Sequence, residues 1–198
     1  MSENDASKVT AGKPKVGGSV FTAPAGSTLP TSADATLGTG FENAGYISDD
    51  GMTHNGTPTV EEVKAWGGDP VLAGENGKTD TYKLKFIEAM NPVVLKIIYG
   101  EDNVEGTSLE EGISYKQNNK ELPERAWVID EIWKGGVLHR TVIPKGKIIE
   151  MGEEPHKDNE PVGYEVTIKA FADTSGNTHY GYMKQGPTGA TGATGATA

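Results

Sequence analysis

Four histidines are the side chains of this chain best suited to acid–base chemistry or metal binding near neutral pH. They are His54, His139, His156 and His179. None of them has a second histidine or a carboxylate at metal-ligand spacing on a single predicted element. A lone strand histidine such as His139 is more typical of a surface or interface. Because the sequence also has no cysteine to supply disulfides or thiolate ligands, we predict no metal site and no cofactor.

Motifs that would mark a catalytic site are also missing from the sequence. There is no G-x-S-x-G elbow and no phosphate-binding loop, and residues 38–40 lack the third glycine of a dinucleotide-binding turn. The adjacent glutamates at 61–62 and 153–154 fall in predicted capping or loop positions. A glycosidase needs two opposed carboxylates, which distant positions can supply, and the sequence alone leaves that open. We predict a protein that is not an enzyme.

The composition restricts the class of protein. The chain has 198 residues, enough for one domain with its own core, and 35% of them are hydrophobic. The formal net charge of −10 argues against a protein that grips nucleic acid through phosphate contacts. No apolar run approaches the ~20 residues of a membrane span, and no signal-peptide pattern is present. These features predict an acidic protein that stays in a cytosol, or is released by lysis, without membrane contact.

The elements that position these side chains are organised around residues 80–100. Tyr82, Leu84 and Phe86 alternate with lysines there, which is the period of a strand with one buried face. This strand is therefore expected to contribute one face to the core.

The apolar run that follows, residues 91–99, carries conflicting signals. Its β-branched residues favour a strand. Asn91, however, suits an N-cap, Pro92 suits the first helical position, and Gly100 suits the residue just after a helix. Because these three boundary signals agree, we predict a short helix over residues 91–99. The candidate core residues of the strand and the helix are Tyr82, Leu84, Phe86, Val94, Leu95, Ile97 and Ile98.

Short strands separated by turn residues account for most of the remaining chain. They are predicted over residues 41–48, 125–133, 137–143, 162–170 and 179–182. Residues 134–136 are predicted to form a hairpin turn between the second and third of these strands. Many short strands and one helix indicate a mainly β fold, a β-sandwich or partly closed barrel with one flanking α-helix.

Three shorter segments carry weaker local signals. A Thr-x-x-Glu capping box predicts a short helical turn over residues 59–66. A hairpin-type turn is predicted at residues 74–77. Residues 49–51 contain two aspartates but lack the ligand ladder and distal glutamate of a calcium loop, so a simple turn is predicted.

The two ends of the chain differ from the middle. Residues 1–40 are predicted to form a largely extended N-terminal arm, either a disordered leader or an arm that orders against a neighbouring subunit. Residues 41–185 form the predicted β domain. Residues 186–198 contain Gly-Ala-Thr triplets with the collagen period. They are predicted to be a flexible tail, with a trimerising tag as the alternative.

Several segments in the middle of the chain have a recognisable order. They are residues 43–51, 63–68, 85–100 and 163–170, followed by Asp173, His179 and Tyr180. With these segments the chain resembles the major tail proteins, or tail tube proteins, of long-tailed non-contractile bacteriophages of Gram-positive hosts. The resemblance spans roughly residues 40 to 183 and leaves out the arm and the Gly-Ala-Thr tail.

The resemblance implies a structural virion protein. Hexameric rings would stack into a hollow tube, through which double-stranded DNA passes at ejection without specific binding. The tape-measure protein would occupy the lumen during assembly, and tail-tip and terminator proteins would be further partners. The protein would lie in the virion tail, and in the host cytoplasm during assembly. Strand alternation makes Asp130, Glu131 and Glu165 candidates for lumen-facing carboxylates that repel phosphates.

Two other functions compete with this interpretation. A β-sandwich that binds glycans or another surface ligand would use exposed aromatic side chains as a platform, with Trp127, Trp133, Tyr180 and Tyr182 as candidates. An inner-tube subunit of a contractile injection device would share the fold of related families.

Overall fold

The computed structural model describes residues 4–15 and 18–187, and this part of the chain is mainly β. Its long strands are β4 (Ile47–Lys64), β5 (Pro70–Phe86), β8 (Arg125–Trp133), β9 (Val137–Met151) and β10 (Tyr164–Phe171). Shorter strands are β1 (Lys13–Pro14), β2 (Val20–Pro24), β3 (Glu42–Asn43), β6 (Val104–Glu105), β7 (Ser114–Tyr115) and β11 (Tyr180–Gln185). The helix of the described part is α1 (Pro92–Tyr99), and single 3-10 turns lie at Ala6–Lys8 and Glu101–Asn103.

Nine strands form one large antiparallel sheet. Its order is β3-β2-β8-β9-β10-β5-β4, with β1 paired to β8 and β11 paired to β9. One edge of β9 pairs with β8, and its other edge is shared by β11 over residues 137–142 and β10 over residues 145–151. The sheet does not close into a barrel, which confirms the predicted mainly β fold in its β-sandwich-like form.

The predicted helix is confirmed, and its boundary signals act as expected. The Oδ1 atom of Asn91 accepts a hydrogen bond of 2.9 Å from the backbone N–H of Val93, so one free donor of the first turn is satisfied. Pro92 is the first helical residue. Gly100 follows the helix with a φ of 92°, a backbone conformation that favours glycine. Capping and burial therefore outweigh the strand preference of the β-branched residues.

The core lies between α1 and one face of the sheet. Tyr82, Leu84 and Phe86 of β5 belong to one cluster with the buried side chains of α1, which are Val94, Leu95, Ile97 and Ile98. Trp127 of β8 joins this cluster, with its ring centroid 6.4 Å from that of Phe86. Fully burying one aliphatic side chain or one phenylalanine of this cluster stabilises the fold by roughly 1.5–3 kcal/mol. The sheet and the helix therefore form a single packed unit.

Three local predictions in the β4–β5 region were wrong. Residues 59–66 do not form a helical turn, because β4 continues to Lys64 and pairs with β5 along the way. The chain reverses at residues 65–69, where the N–H of Ala65 donates to the carbonyl of Asp69 at 2.8 Å, and residues 74–77 lie within β5. Residues 49–51 do not form the predicted simple turn but lie within β4, at a break in register between Ile47 and Met52. Long-range strand pairing has overridden the local capping signal.

The ends of the chain are described in part. Residues 20–24 of the predicted arm form β2, which pairs with β8 inside the main sheet. At the other end, residues 186–187 follow β11, and the N–H of Gly186 donates to the carbonyl of Gly136 at 3.0 Å. The Gly-Ala-Thr triplets predicted to be flexible fall within residues 188–198 and lie outside the described residues.

Candidate assembly surface and side-chain clusters

A long hairpin extends beyond the rest of the sheet. β10 pairs with β5 only over residues 80–86, whereas residues 57–64 and 70–79 pair only with each other within the described chain. At the tip, Trp66 is fully exposed and Val71 is 61% exposed. A two-stranded ribbon is marginally stable alone, and exposed large apolar side chains are typical of protein–protein contacts. The hairpin therefore has the properties of an element that binds another protein surface.

The outer strand of the sheet offers a second contact surface. β4 is the last strand in the sheet order, and no strand among residues 4–15 and 18–187 pairs with its other edge. Its 18 residues make this a long unpaired edge. Such an edge presents free N–H and C=O groups that a strand of another chain can pair with.

A buried ion pair connects the sheet to the N-terminal region. The Nε and Nη2 atoms of Arg140 donate to the two carboxylate oxygens of Asp130 at 2.6 and 2.7 Å. The Nη1 atom of Arg140 donates to the carbonyls of Ser32 and Ala35 at 3.1 and 2.7 Å. Both charged side chains are almost completely buried, and Lys15 adds a contact of 3.4 Å to Asp130. This ion pair fixes residues 32–35, within the predicted arm, onto β8 and β9.

The three predicted lumen carboxylates occupy different environments. Asp130 is buried against Arg140, although alternation had suggested an open face. Glu131 is partly exposed and lies 2.8 Å from Nδ1 of His139. Glu165, also partly exposed, accepts from Nζ of Lys83 at 2.9 Å, and this hydrogen bond and charge raise the pKa of Lys83. The structure does not bring the three together, because β9 separates β8 from β10.

A cluster that the sequence analysis missed joins His54, Asp80 and His179. Oδ1 of Asp80 lies 3.3 Å from Nε2 of His54, and Oδ2 lies 3.2 Å from Nδ1 of His179. Thr178 donates its hydroxyl to Oδ2 of the same carboxylate. Burial alone would raise the pKa of Asp80, but the hydrogen bonds from Thr178, His54 and His179 lower it below the ordinary value.

These three side chains are of the types that bind metal ions, and their ligand atoms all lie within 4.8 Å of one another. No single predicted element carries two of these ligands, which is why the sequence predicts no metal site here. This cluster combines β4, β5 and the residue before β11, so only the tertiary structure assembles it. No spacing in the sequence signals it.

The aromatic platform of the glycan-binding alternative is not assembled as predicted. Trp127 is 1% exposed and donates its Nε1–H to the carbonyl of Gly146 at 3.2 Å. Trp133 stacks on His139 with ring centroids 4.1 Å apart. Tyr180 donates its hydroxyl to Asp173 at 2.6 Å, and Tyr182 is partly buried in β11. Trp127 is therefore a core residue and does not form part of an exposed aromatic platform.

Among the described residues, no helix has the length and apolar character needed to cross a membrane.

A comparison with curated proteins finds no match to the chain. A comparison with protein families finds one described as "Phage tail tube protein", which matches residues 1–192. The match includes the N-terminal arm that the resemblance had left out, and the mainly β fold with its open sheet is consistent with it. The chain belongs to the phage tail tube protein family.

Proposed function

We propose that this tail tube subunit forms hexameric rings that stack into the hollow conduit through which phage DNA is ejected. The family match carries this proposal. Head-to-tail contacts that close by rotation produce a ring, and stacked rings grow along one axis. The long unpaired edge of β4 supports ring closure, because pairing with the next subunit removes an edge that would otherwise cause aggregation.

The projecting hairpin supplies the contact between rings in this proposal. Trp66 at its tip is fully exposed in the isolated subunit. Tryptophan is among the residues that contribute most to protein–protein binding when buried in a partner's pocket. Docking of this tip on the next ring buries the exposed indole.

Location within the particle tests the proposed function. Antibodies against this chain, applied with gold label to particles of the phage that encodes it, are expected to decorate the tail along its whole length. Antibodies against a head protein of the same particles serve as the control. Label restricted to the tail tip or the head would contradict the proposal.

The partly exposed carboxylates Glu131 and Glu165 are the remaining candidates for a repulsive lumen wall. A negative wall keeps DNA from adhering during passage. Particles carrying both Glu131→Lys and Glu165→Lys are expected to release their DNA several-fold more slowly at low salt, and salt is expected to reduce the difference. The measurement is the rate of triggered DNA release from purified particles.

Two controls accompany this test. Tail length by electron microscopy must match the wild type, since the changed side chains also lose their His139 and Lys83 partners. Lys157→Glu reverses a charge in the loop between β9 and β10 and is expected to leave the rate unchanged. Equal release rates for the double variant and the wild type would rule out the lumen role of these two residues.

A tube of this kind has three further protein partners in this proposal. The tape-measure protein occupies the lumen during assembly in the host cytoplasm, and tail-tip and terminator proteins contact the first and last rings. An inner tube of a contractile device is the second candidate. A sheath protein around tubes built from this chain would favour it over the non-contractile tail.

A further inference from the structure

The cluster of His54, Asp80 and His179 lies where the hairpin joins the rest of the sheet. Asp80 is the first residue of β5 that pairs with β10, and His54 lies on the neighbouring strand β4. His179 immediately precedes β11. The three side chains therefore connect the base of the hairpin to a distant part of the chain. The carboxylate of Asp80 is 2% exposed, whereas both histidines are partly open to solvent.

The ring of Tyr82, whose buried hydroxyl has no partner among the described residues, packs against this cluster. Among the described side chains with buried polar atoms, Tyr82 Oη has no hydrogen-bond partner. Tyr82 is 1% exposed, and its ring stacks on that of His54 with the ring centroids 4.5 Å apart. It also meets the ring of His179 edge to face, with the ring centroids 6.0 Å apart. Burial and then the nearby charge of Asp80 raise the pKa of Tyr82. Because buried hydroxyls are normally satisfied, this one indicates an additional group at the cluster.

The ligand types select the kind of ion. Two imidazole nitrogens and one carboxylate oxygen suit zinc and related divalent transition metals, while magnesium and calcium prefer oxygen ligands alone. Zinc bonds of ~2.0–2.2 Å place the ligand atoms of a tetrahedral site about 3.3–3.5 Å apart. The ligand atoms of the three side chains, one from each, all lie within 4.8 Å of one another, with Nε2 of His54 3.3 Å from Oδ1 and Nδ1 of His179 3.2 Å from Oδ2 of the same carboxylate, so small side-chain rotations bring them to this spacing.

We infer that His54, Asp80 and His179 bind a divalent transition-metal ion, with zinc as the best fit, at the base of the hairpin. The fourth position takes a water molecule that hydrogen-bonds to the hydroxyl of Tyr82. Lys78, whose Nζ lies 4.0 Å from Oδ1 of Asp80, is 54% exposed and moves into solvent when the ion binds. The bound metal fastens β4, β5 and the start of β11 to one another, and so sets the direction of the hairpin.

Zinc binding to the purified full chain, prepared without a histidine tag and stripped with a chelator, tests this inference. Titration calorimetry with zinc chloride is expected to give one ion per chain. Cobalt is expected to give the visible absorption of a tetrahedral site. His179→Ala is expected to weaken zinc binding by about a hundredfold or more, since even residues behind the ligands change affinity by 10–100-fold. Tyr82→Phe keeps the ring and is expected to weaken binding by about tenfold.

The matched control is His139→Ala, which removes a histidine that also contacts a carboxylate, Glu131, but lies outside the cluster. This variant is expected to bind one zinc ion with wild-type affinity. Circular dichroism in the presence of chelator checks that His179→Ala is folded, and His54→Ala provides a second ligand variant. Absence of stoichiometric binding, or equal affinity in the wild type and both ligand variants, would overturn the inference.

Discussion

Replacement of Arg140 by alanine is expected to lower the free energy of unfolding by about 3–5 kcal/mol, because it leaves the buried carboxylate of Asp130 without its main partner. The carbonyls of Ser32 and Ala35 lose their donor in the same variant. The segment of residues 30–36 is therefore expected to detach from β8 and β9 before the sheet itself unfolds. Urea denaturation measures the loss in stability, and hydrogen exchange of residues 30–36 measures the local detachment.

Two further variants separate the buried charge from general damage. Arg140→Met combined with Asp130→Leu removes both charges, so it is expected to cost less than Arg140→Ala alone. Lys184→Ala removes an exposed ion pair with Asp34 of the same N-terminal region and is expected to change stability little. If Arg140→Ala unfolds at the wild-type urea concentration, the account of this ion pair is wrong.

Replacement of Trp66 by serine is expected to prevent tube formation at concentrations where the wild type assembles. A central tryptophan of an interface contributes about 2–4 kcal/mol, which corresponds to a roughly 30- to 1,000-fold higher concentration for assembly. Because Trp66 is fully exposed in the subunit, the thermal midpoint of the monomer is expected to stay unchanged. Pelleting across a concentration series, followed by electron microscopy, measures the assembly threshold.

Leu109→Ser is the matched control for Trp66→Ser. Leu109 is also a largely exposed apolar side chain, but it lies in the loop between β6 and β7. This variant is expected to assemble at the wild-type concentration. An unchanged threshold for Trp66→Ser would mean that the hairpin tip does not contact the next ring.

The sequence predicted best where local signals and burial agree. The caps at Asn91 and Gly100 define α1 as expected, and the glycine turn at 134–136 connects β8 and β9. Tyr82, Leu84 and Phe86 lie in the core, as their alternation indicated. In these segments the residues that set the local conformation also satisfy the tertiary structure.

The features that the sequence did not predict depend on strand register. The capping box at residues 59–62 is a local signal, and it yields to the ladder between β4 and β5. The burial of Asp130 depends on Arg140 being opposite to it on β9. The cluster of His54, Asp80 and His179 requires three segments to meet, and no single element carries its spacing. Register between segments so far apart in the chain is set by the pairing of the whole sheet. The residue pattern within a single element carries no information about that pairing.

The most direct test of the central claim is electron microscopy of the purified, concentrated chain, with and without the tail-tip proteins that we propose as partners. We expect hollow tubes built from stacked rings, with six-fold symmetry in end views and a continuous central channel. Light scattering on the same samples is expected to show growth that depends on concentration. A chain that remains monomeric at high concentration in the presence of the tail-tip proteins would contradict its assignment as the tube-forming subunit.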